Sequence, residues 1–479
     1  MIKREPVHFL VCLLFFEFAV ISCFQNQPNP LLLLISFDGF RWDYLSRGHL
    51  PNFEYLKTAG SYANYVKNTF STVTFPNHWS IVTGLYQESH GILNNHIFDP
   101  ELNKTFHTNK ESMNTLWYDP FNIAEPIWTL NEKKGNNRLS AAEWLGSNII
   151  FNKTSVTSVD YNTSRTYNDI IDQFIKFFTD AKRPINFGAV YFDEPDATGH
   201  KYGPDSKELL EKLNELDSNL GYLIDKLKSN KLFDSLNIII TSDHGMQSVQ
   251  ENNNICLEKH VDLNLFDVYG GVVSKNLFLK NYSDMTNVYQ KLKNISNLDV
   301  YNKSEFPEKY HYKKNNRFGD ILIVAKLGYI IYEKCTDLSA STLKGAHGYY
   351  NNESSMFPIF LAKGPAIRKN YRIENFDIVD IYPFMCAILD LEPGINNGSI
   401  SNVESMLKKF SRRHLILYAF ISLTPIATAI LTAFFLFFIN KRSNLPGQTT
   451  NAYDGYKILS TSETNSLANN DELADNAEL

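Results

Sequence analysis

The sequence predicts an α/β body built on a mostly parallel sheet with helices on both faces, followed by one transmembrane helix. Three observations point there. Between about residues 30 and 400, short apolar runs bounded by polar, Gly or Pro residues alternate with helical patterns. Asp and His residues follow several of these runs, at the place where open α/β sheets gather their working residues. A long apolar stretch from His414 to Asn440 lies beyond the body.

Taken in order, residues 31–37 (LLLLISF), 185–192 (INFGAVYF), 236–242 (LNIIITS), 320–325 (DILIVA) and 357–362 (FPIFLA) read as buried parallel strands. Between the second and third, Leu209, Leu210, Leu213, Leu216, Leu220, Leu223, Ile224 and Leu227 recur at helical spacing and complete a β-α-β unit. The polar stretch 253–318 reads as an insert. No internal repeat or low-complexity linker divides residues 26–400.

The chain of 479 residues is 43% hydrophobic and 14% aromatic, enough for a large core. Its net charge of −6 is spread without long runs of one sign, so no nucleic-acid binding is expected.

Lys3 and Arg4 precede an apolar stretch from Val7 to Ile21, which reads as a signal peptide spanning residues 1–23. The rival readings are an uncleaved anchor and a lipobox-like VISC ending at Cys23. Residues 414–440 are long enough to cross the roughly 30 Å of hydrocarbon. Lys408, Lys409, Arg412 and Arg413 before this span outnumber Lys441 and Arg442 after it, so charge alone favours the opposite orientation. The leader decides, aided by acceptor sequons at Asn103, Asn152, Asn162, Asn281, Asn294, Asn302, Asn352 and Asn397, all between the two segments. The expected plan is an extracellular body over 26–400, a stalk over 401–413, the span, and a cytoplasmic tail over 441–479, in the plasma membrane. Beyond the leader, Cys256, Cys335 and Cys386 allow one disulfide, and spacing does not choose the pair. Cys386, in the apolar run IYPFMCAILDL, reads as a buried free thiol.

Six side chains stand at or near strand ends: Asp38, Asp196, His200, Asp243, His244 and, in KGAHGYYNN, His347. A lone Asp there is most often a turn former, and a lone His is polar surface. Together they offer carboxylate oxygen and imidazole nitrogen to zinc or a similar ion, and six ligands exceed one tetrahedral site, so two metals are expected. Thr74, before Phe-Pro, supplies a hydroxyl such a site can activate for in-line displacement at phosphorus.

VTFPNHWSIVTGLYQESHGILNN, EPDATGHKYGP, TSDHGM and GAHGY resemble, in order and spacing, the motifs of the nucleotide pyrophosphatase/phosphodiesterase family of the alkaline phosphatase superfamily. The resemblance covers roughly residues 30–400 and is nearest in plan to the compact type I membrane members of the type 5 or type 4 kind. It implies an alkaline-phosphatase-like fold and two Zn2+ ions. Asp38, Thr74, Asp243 and His244 would hold the ion that activates the nucleophile, and Asp196, His200 and His347 the other. Asn95 and the backbone N–H of the nucleophile segment would bind a phosphate oxygen. Phe75 and Tyr161 would sandwich a nucleobase.

Two departures from the family pattern bear on substrate. Val73 stands where Lys is common, and Leu145 replaces Pro in EWLGS. The expected activity is hydrolysis of extracellular nucleotides or dinucleotides, such as NAD, diadenosine polyphosphates or ATP, to nucleoside monophosphates through a threonyl-nucleotide intermediate. Alternatives are a phospholipid or choline-phosphodiester phosphodiesterase on the same scaffold, and a catalytically idle surface binding protein. Sulfatase chemistry is disfavoured, because no Cys/Ser-x-Pro-x-Arg motif is present.

Overall fold

The structure, a computed structural model, describes residues 28–108, 112–151, 156–160, 162, 164–250, 252–337 and 343–408. Its centre is an eight-stranded sheet of β1 (Leu31–Phe37), β2 (Ser61–Lys67), β3 (Ser140–Glu143), β4 (Thr157–Ser158), β5 (Phe187–Phe192), β6 (Leu236–Thr241), β7 (Phe360–Lys363) and β8 (Tyr371–Asp377). The order is β8-β2-β7-β6-β1-β5-β3-β4. Every neighbouring pair is parallel except those made by β7, which runs against both β6 and β2. The expected mostly parallel sheet is present, but the run 357–362 enters it in the opposite direction.

Helices cover both faces: α1 (Pro51–Ala59), α2 (Thr74–Thr83), α3 (Ile127–Lys133), α4 (Tyr167–Thr179), α5 (Asp196–Tyr202), α6 (Lys207–Ser229) and α7 (Ile381–Leu389). β1 is central, so its alternate side chains feed two cores. Leu32 and Leu34 pack with α2, α3 and α7, while Leu33, Ile35 and Phe37 pack with α1, α4 and α6. Each fully buried Leu contributes roughly 1.5–3 kcal/mol over an exposed one. This double burial explains a run of four leucines without polar alternation. α6 starts at Ser206, whose hydroxyl accepts from Leu209 N–H at 3.1 Å. It buries every expected apolar position except Leu210, which is 37% exposed.

The run 320–325 belongs to a different sheet. Ile321–Ala325 pairs antiparallel with Ser274–Leu279 and Leu298–Asn302, and Phe266–Gly270 completes this four-stranded insert. The insert has its own core around Leu277, Val288 and Ile323. Cys256 and Cys335 form the disulfide, closing a sequence separation of 79, and Cys386 is the buried free thiol.

Residues expected in the stalk continue the body as far as Lys408. Val403 and Met406 are buried, and Lys408 N–H donates to Ala366 O at 2.8 Å. Among the described residues no helix is long and apolar enough to cross a membrane. The leader 1–23, the span 414–440 and the tail 441–479 lie outside the described residues, as do Asn152 and Tyr161.

Candidate active site

The parallel order of β1, β5 and β6 puts their carboxyl ends on one edge of the sheet. Asp38 follows β1, Asp243 and His244 follow β6, and Asp196 opens α5 after β5. Asp196 and His200 share one side of a helical turn because they are four residues apart. His347 follows the two-residue strand Gly345–Ala346, which pairs with Gln247–Ser248. Thr74 is the first residue of α2, with Val73 capping in extended conformation. The helix therefore begins at the residue that carries the hydroxyl.

These side chains meet in two overlapping clusters. His244 Nε2 lies 3.0 Å from Asp243 Oδ2, 3.4 Å from Asp38 Oδ1 and 3.3 Å from Thr74 Oγ1. His200 Nε2 lies 3.3 Å from Asp196 Oδ2 and 3.1 Å from His347 Nε2, which is 3.6 Å from Asp196 Oδ1. The rings of His244 and His347 stack at 3.5 Å and join the clusters.

The donor set fits divalent metal. His200 Nδ1 faces Gly345 O at 2.8 Å, His244 Nδ1 faces Gly245 O at 2.9 Å, and His347 Nδ1 faces Thr72 O at 2.9 Å. A carbonyl only accepts, so each ring carries a proton on Nδ1 and turns Nε2 inward, the arrangement metal-binding histidines adopt. Opposite them, Asp38 Oδ1, Asp196 Oδ1 and Asp243 Oδ2 are buried without a hydrogen-bond partner. Buried acceptors facing acceptors at such distances call for a cation between them.

Electrostatics agree. Burial, then the charges of Asp243 and Asp196, raise the Asp38 pKa. Burial opposes the charged form of His200 too, yet Asp196 outweighs it and holds the ring up at about 9, so a metal bound at its Nε2 would take the place of a proton. For His347, burial and then the charge on His244 push the pKa down to about 3. Asp196 and Asp243 are also penalised by burial, but His200 and His244 respectively hold them below the usual carboxylate range.

Asn95 accepts the Phe75 N–H on its Oδ1 at 3.0 Å. That N–H is thus engaged by Asn95, whose Nδ2 is left as a donor. Phe75 is half-buried and meets Phe106 edge-on at 6.3 Å.

A supporting layer escaped the sequence reading. His78 is buried, with Nδ1 2.9 Å from Thr74 O and 3.4 Å from Asp243 Oδ2, and Nε2 2.8 Å from Ser36 Oγ. It ties the first turn of α2 to β1 and to the buried Asp243 carboxylate. Tyr191 donates to Asp38 Oδ2 at 2.6 Å and meets His78 edge-on. The Thr74–His78 spacing of four was the one available signal. His78→Asn is expected to lower kcat by about ten- to a hundredfold with KM nearly unchanged, because the turn that carries Thr74 loses its register. Equal changes in kcat and stability, with KM drifting alongside, would reduce His78 to a packing residue.

Residues 32–350 match the family model described as type I phosphodiesterase / nucleotide pyrophosphatase. The chain is 40% identical over 385 residues to bis(5'-adenosyl)-triphosphatase enpp4 of Xenopus laevis, covering 80% of this chain and 82% of that protein. It is 39% identical over 401 residues to human ectonucleotide pyrophosphatase/phosphodiesterase family member 5, covering 83% and 82%. The solved structure of murine ectonucleotide pyrophosphatase/phosphodiesterase 5 superposes with a TM-score of 0.75 at 39% identity, over 79% of this chain and 100% of that one. An inactive Thr-to-Ala form of the murine protein, in complex with AMP, superposes with a TM-score of 0.75 at 38% identity, over 80% of this chain and 100% of that one. With motif, fold and an Asp/His cluster in agreement, the chain belongs to the nucleotide pyrophosphatase/phosphodiesterase family of metallo-phosphodiesterases.

Proposed function

We propose that the chain is a cell-surface, two-zinc phosphodiesterase that cleaves nucleotides and dinucleotides to nucleoside monophosphates through a covalent Thr74 intermediate. The observation that carries this reading is the meeting of Thr74 Oγ1 and His244 Nε2, at 3.3 Å, beside three buried, unpartnered carboxylate oxygens. Two zinc ions, one held by Asp38, Asp243, His244 and Thr74, the other by Asp196, His200 and His347, would supply Lewis-acid stabilisation of the attacking and leaving oxygens. Thr74 Oγ1 attacks phosphorus, the bond to the leaving group breaks, and water then cleaves the threonyl ester to release the monophosphate. Asn95 Nδ2 donates to a non-bridging phosphate oxygen, and the N-terminus of α2 favours the same negative charge. Phe75 packs on the base; its partner Tyr161 lies outside the described residues.

The names of the relatives support the nucleotide reading: one is a bis(5'-adenosyl)-triphosphatase, and another holds AMP. The surface location draws on two features. Asn103, Asn162, Asn281, Asn294, Asn352 and Asn397 are exposed, with Asn302 half-buried, so these sequons are accessible to glycosylation. The Cys256–Cys335 disulfide suits an oxidising compartment.

To test the substrate class, the whole chain supplied with zinc is offered ATP, NAD, diadenosine triphosphate and a lysophosphatidylcholine, and products are identified by mass. AMP from the three nucleotides is the expected result. Release of phosphocholine in its place would move the enzyme to lipid substrates, and zinc binding without any turnover would leave a binding protein.

A further inference from the structure

A run of aromatic rings leads away from the site and has no part in the chemistry above. His107 and His96 stack with centroids 4.7 Å apart at 25°, and His96 meets Tyr269 at 5.1 Å. Tyr269 stacks on Phe98 at 5.2 Å and 16°, and Phe98 meets Phe278 edge-on at 5.2 Å. Two segments distant in sequence build it, the hairpin after Asn95 and the insert sheet.

Its exposure is unlike that of a core. Another large aromatic cluster, around Phe70, Phe306 and Tyr312, is almost wholly buried. In the ladder, His107 is exposed and His96, Phe98, Tyr269 and Phe278 are only half-buried. Burial, followed by the charges of His107 and Lys275, lowers the His96 pKa, so this ring stacks as a neutral aromatic near pH 7. Lys275 is already paired with Glu333 at 3.2 Å, so the patch offers stacking more than charge.

Its position connects it to the reaction. His96 directly follows Asn95, which holds the Phe75 N–H. In the insert, Gly271 approaches Asn94, where a Cβ on the glycine would lie 3.8 Å from Asn94 Oδ1. Val273 lies against Gly348, beside His347: a Cβ on that glycine would be 3.2 Å from Val273 and 3.5 Å from Val73. The insert is thus seated on the rim of the site, on the side of Asn95 and His347.

We infer that this ladder is the stacking platform for the second base of a dinucleotide, the heteroaromatic ring carried by the leaving group. This rests on the proposed nucleotide reading and adds a preference within it: dinucleotides over nucleotides whose leaving group has no ring. Aromatic stacking tolerates any base, so adenine and nicotinamide both fit the same platform.

The test measures binding in zinc-loaded whole chain carrying Thr74→Ala, so that ligands persist. AMP and diadenosine triphosphate are titrated separately. His107→Ala and Tyr269→Ala are each expected to weaken diadenosine triphosphate about five- to tenfold relative to AMP, and Tyr269→Phe to restore the ratio. An unchanged ratio, or an equal loss for both ligands, overturns the platform. The AMP arm reports on the nucleotide reading and the ratio on the ladder, so the two failures are distinguishable.

Discussion

Replacing Thr74 with alanine is expected to lower the rate of nucleotide cleavage by at least about a thousandfold, some 4 kcal/mol of barrier, with the fold intact. Among the described residues the Thr74 hydroxyl has one hydrogen-bonding contact, to His244 Nε2 at 3.3 Å. It is not a helix cap, because Val73 occupies that position and makes no side-chain cap bond. The contact that holds the turn runs from His78 to the Thr74 carbonyl and survives the substitution. Stability should therefore change by less than about 1 kcal/mol. Thr72, two residues earlier, is a poor rival as nucleophile. Its hydroxyl donates to Tyr349 O at 2.9 Å and accepts from Gly348 N–H at 2.9 Å, so it fastens the loop that carries His347. Thr74→Ser should keep most of the activity. Single-turnover cleavage with zinc present decides the matter: a loss smaller than tenfold in Thr74→Ala would mean that water attacks phosphorus directly and that no threonyl ester forms.

How much of this was readable in the chain depends on how each residue announces itself. Asp38, Asp243 and His244 break long apolar runs, and a polar residue at the tip of a buried strand is conspicuous. Asp196 and His200 were legible as a pair through helical spacing. His78, Tyr191 and Ser36 were not, because each sits inside an apolar strand or helix and looks like an ordinary core member until its partner is known. Direction and sheet membership were also hidden. Hydrophobic periodicity marks a strand but carries no sign of its polarity, so β7 was expected parallel, and 320–325 was assigned to the main sheet although it pairs within the insert. The ladder of His96 and Tyr269 joins residues more than 150 positions apart on a rim that exists only once the insert docks.

The Asp196 side of the site can be moved without touching any ligand. Gly39 follows Asp38 with φ of +67°, and its N–H donates to Asp243 Oδ1 at 3.1 Å. A Cβ there would lie 2.9 Å from the Asp196 Cα and 3.0 Å from its Oδ1. Backbone cannot swing aside as the end of a long side chain can, and Asp196 N–H is bonded to Asp38 O at 3.0 Å, so both carboxylates shift together. Gly39→Ala is expected to cost roughly 2–4 kcal/mol of stability, from the left-handed backbone and the overpacking combined. It should lower kcat/KM by about a hundredfold or more, because displacements well below an ångström matter at reacting centres. Gly135 separates the two causes. It has φ of +75° but nothing within 4 Å of its Cβ position, so Gly135→Ala carries the backbone cost of about 1 kcal/mol and leaves catalysis alone. Zinc per chain, unfolding midpoint and kcat/KM, measured on both variants, tell strain from displacement. If Gly39→Ala matched Gly135→Ala in all three, the close approach of β1 to α5 would not be what sets the buried carboxylates in place.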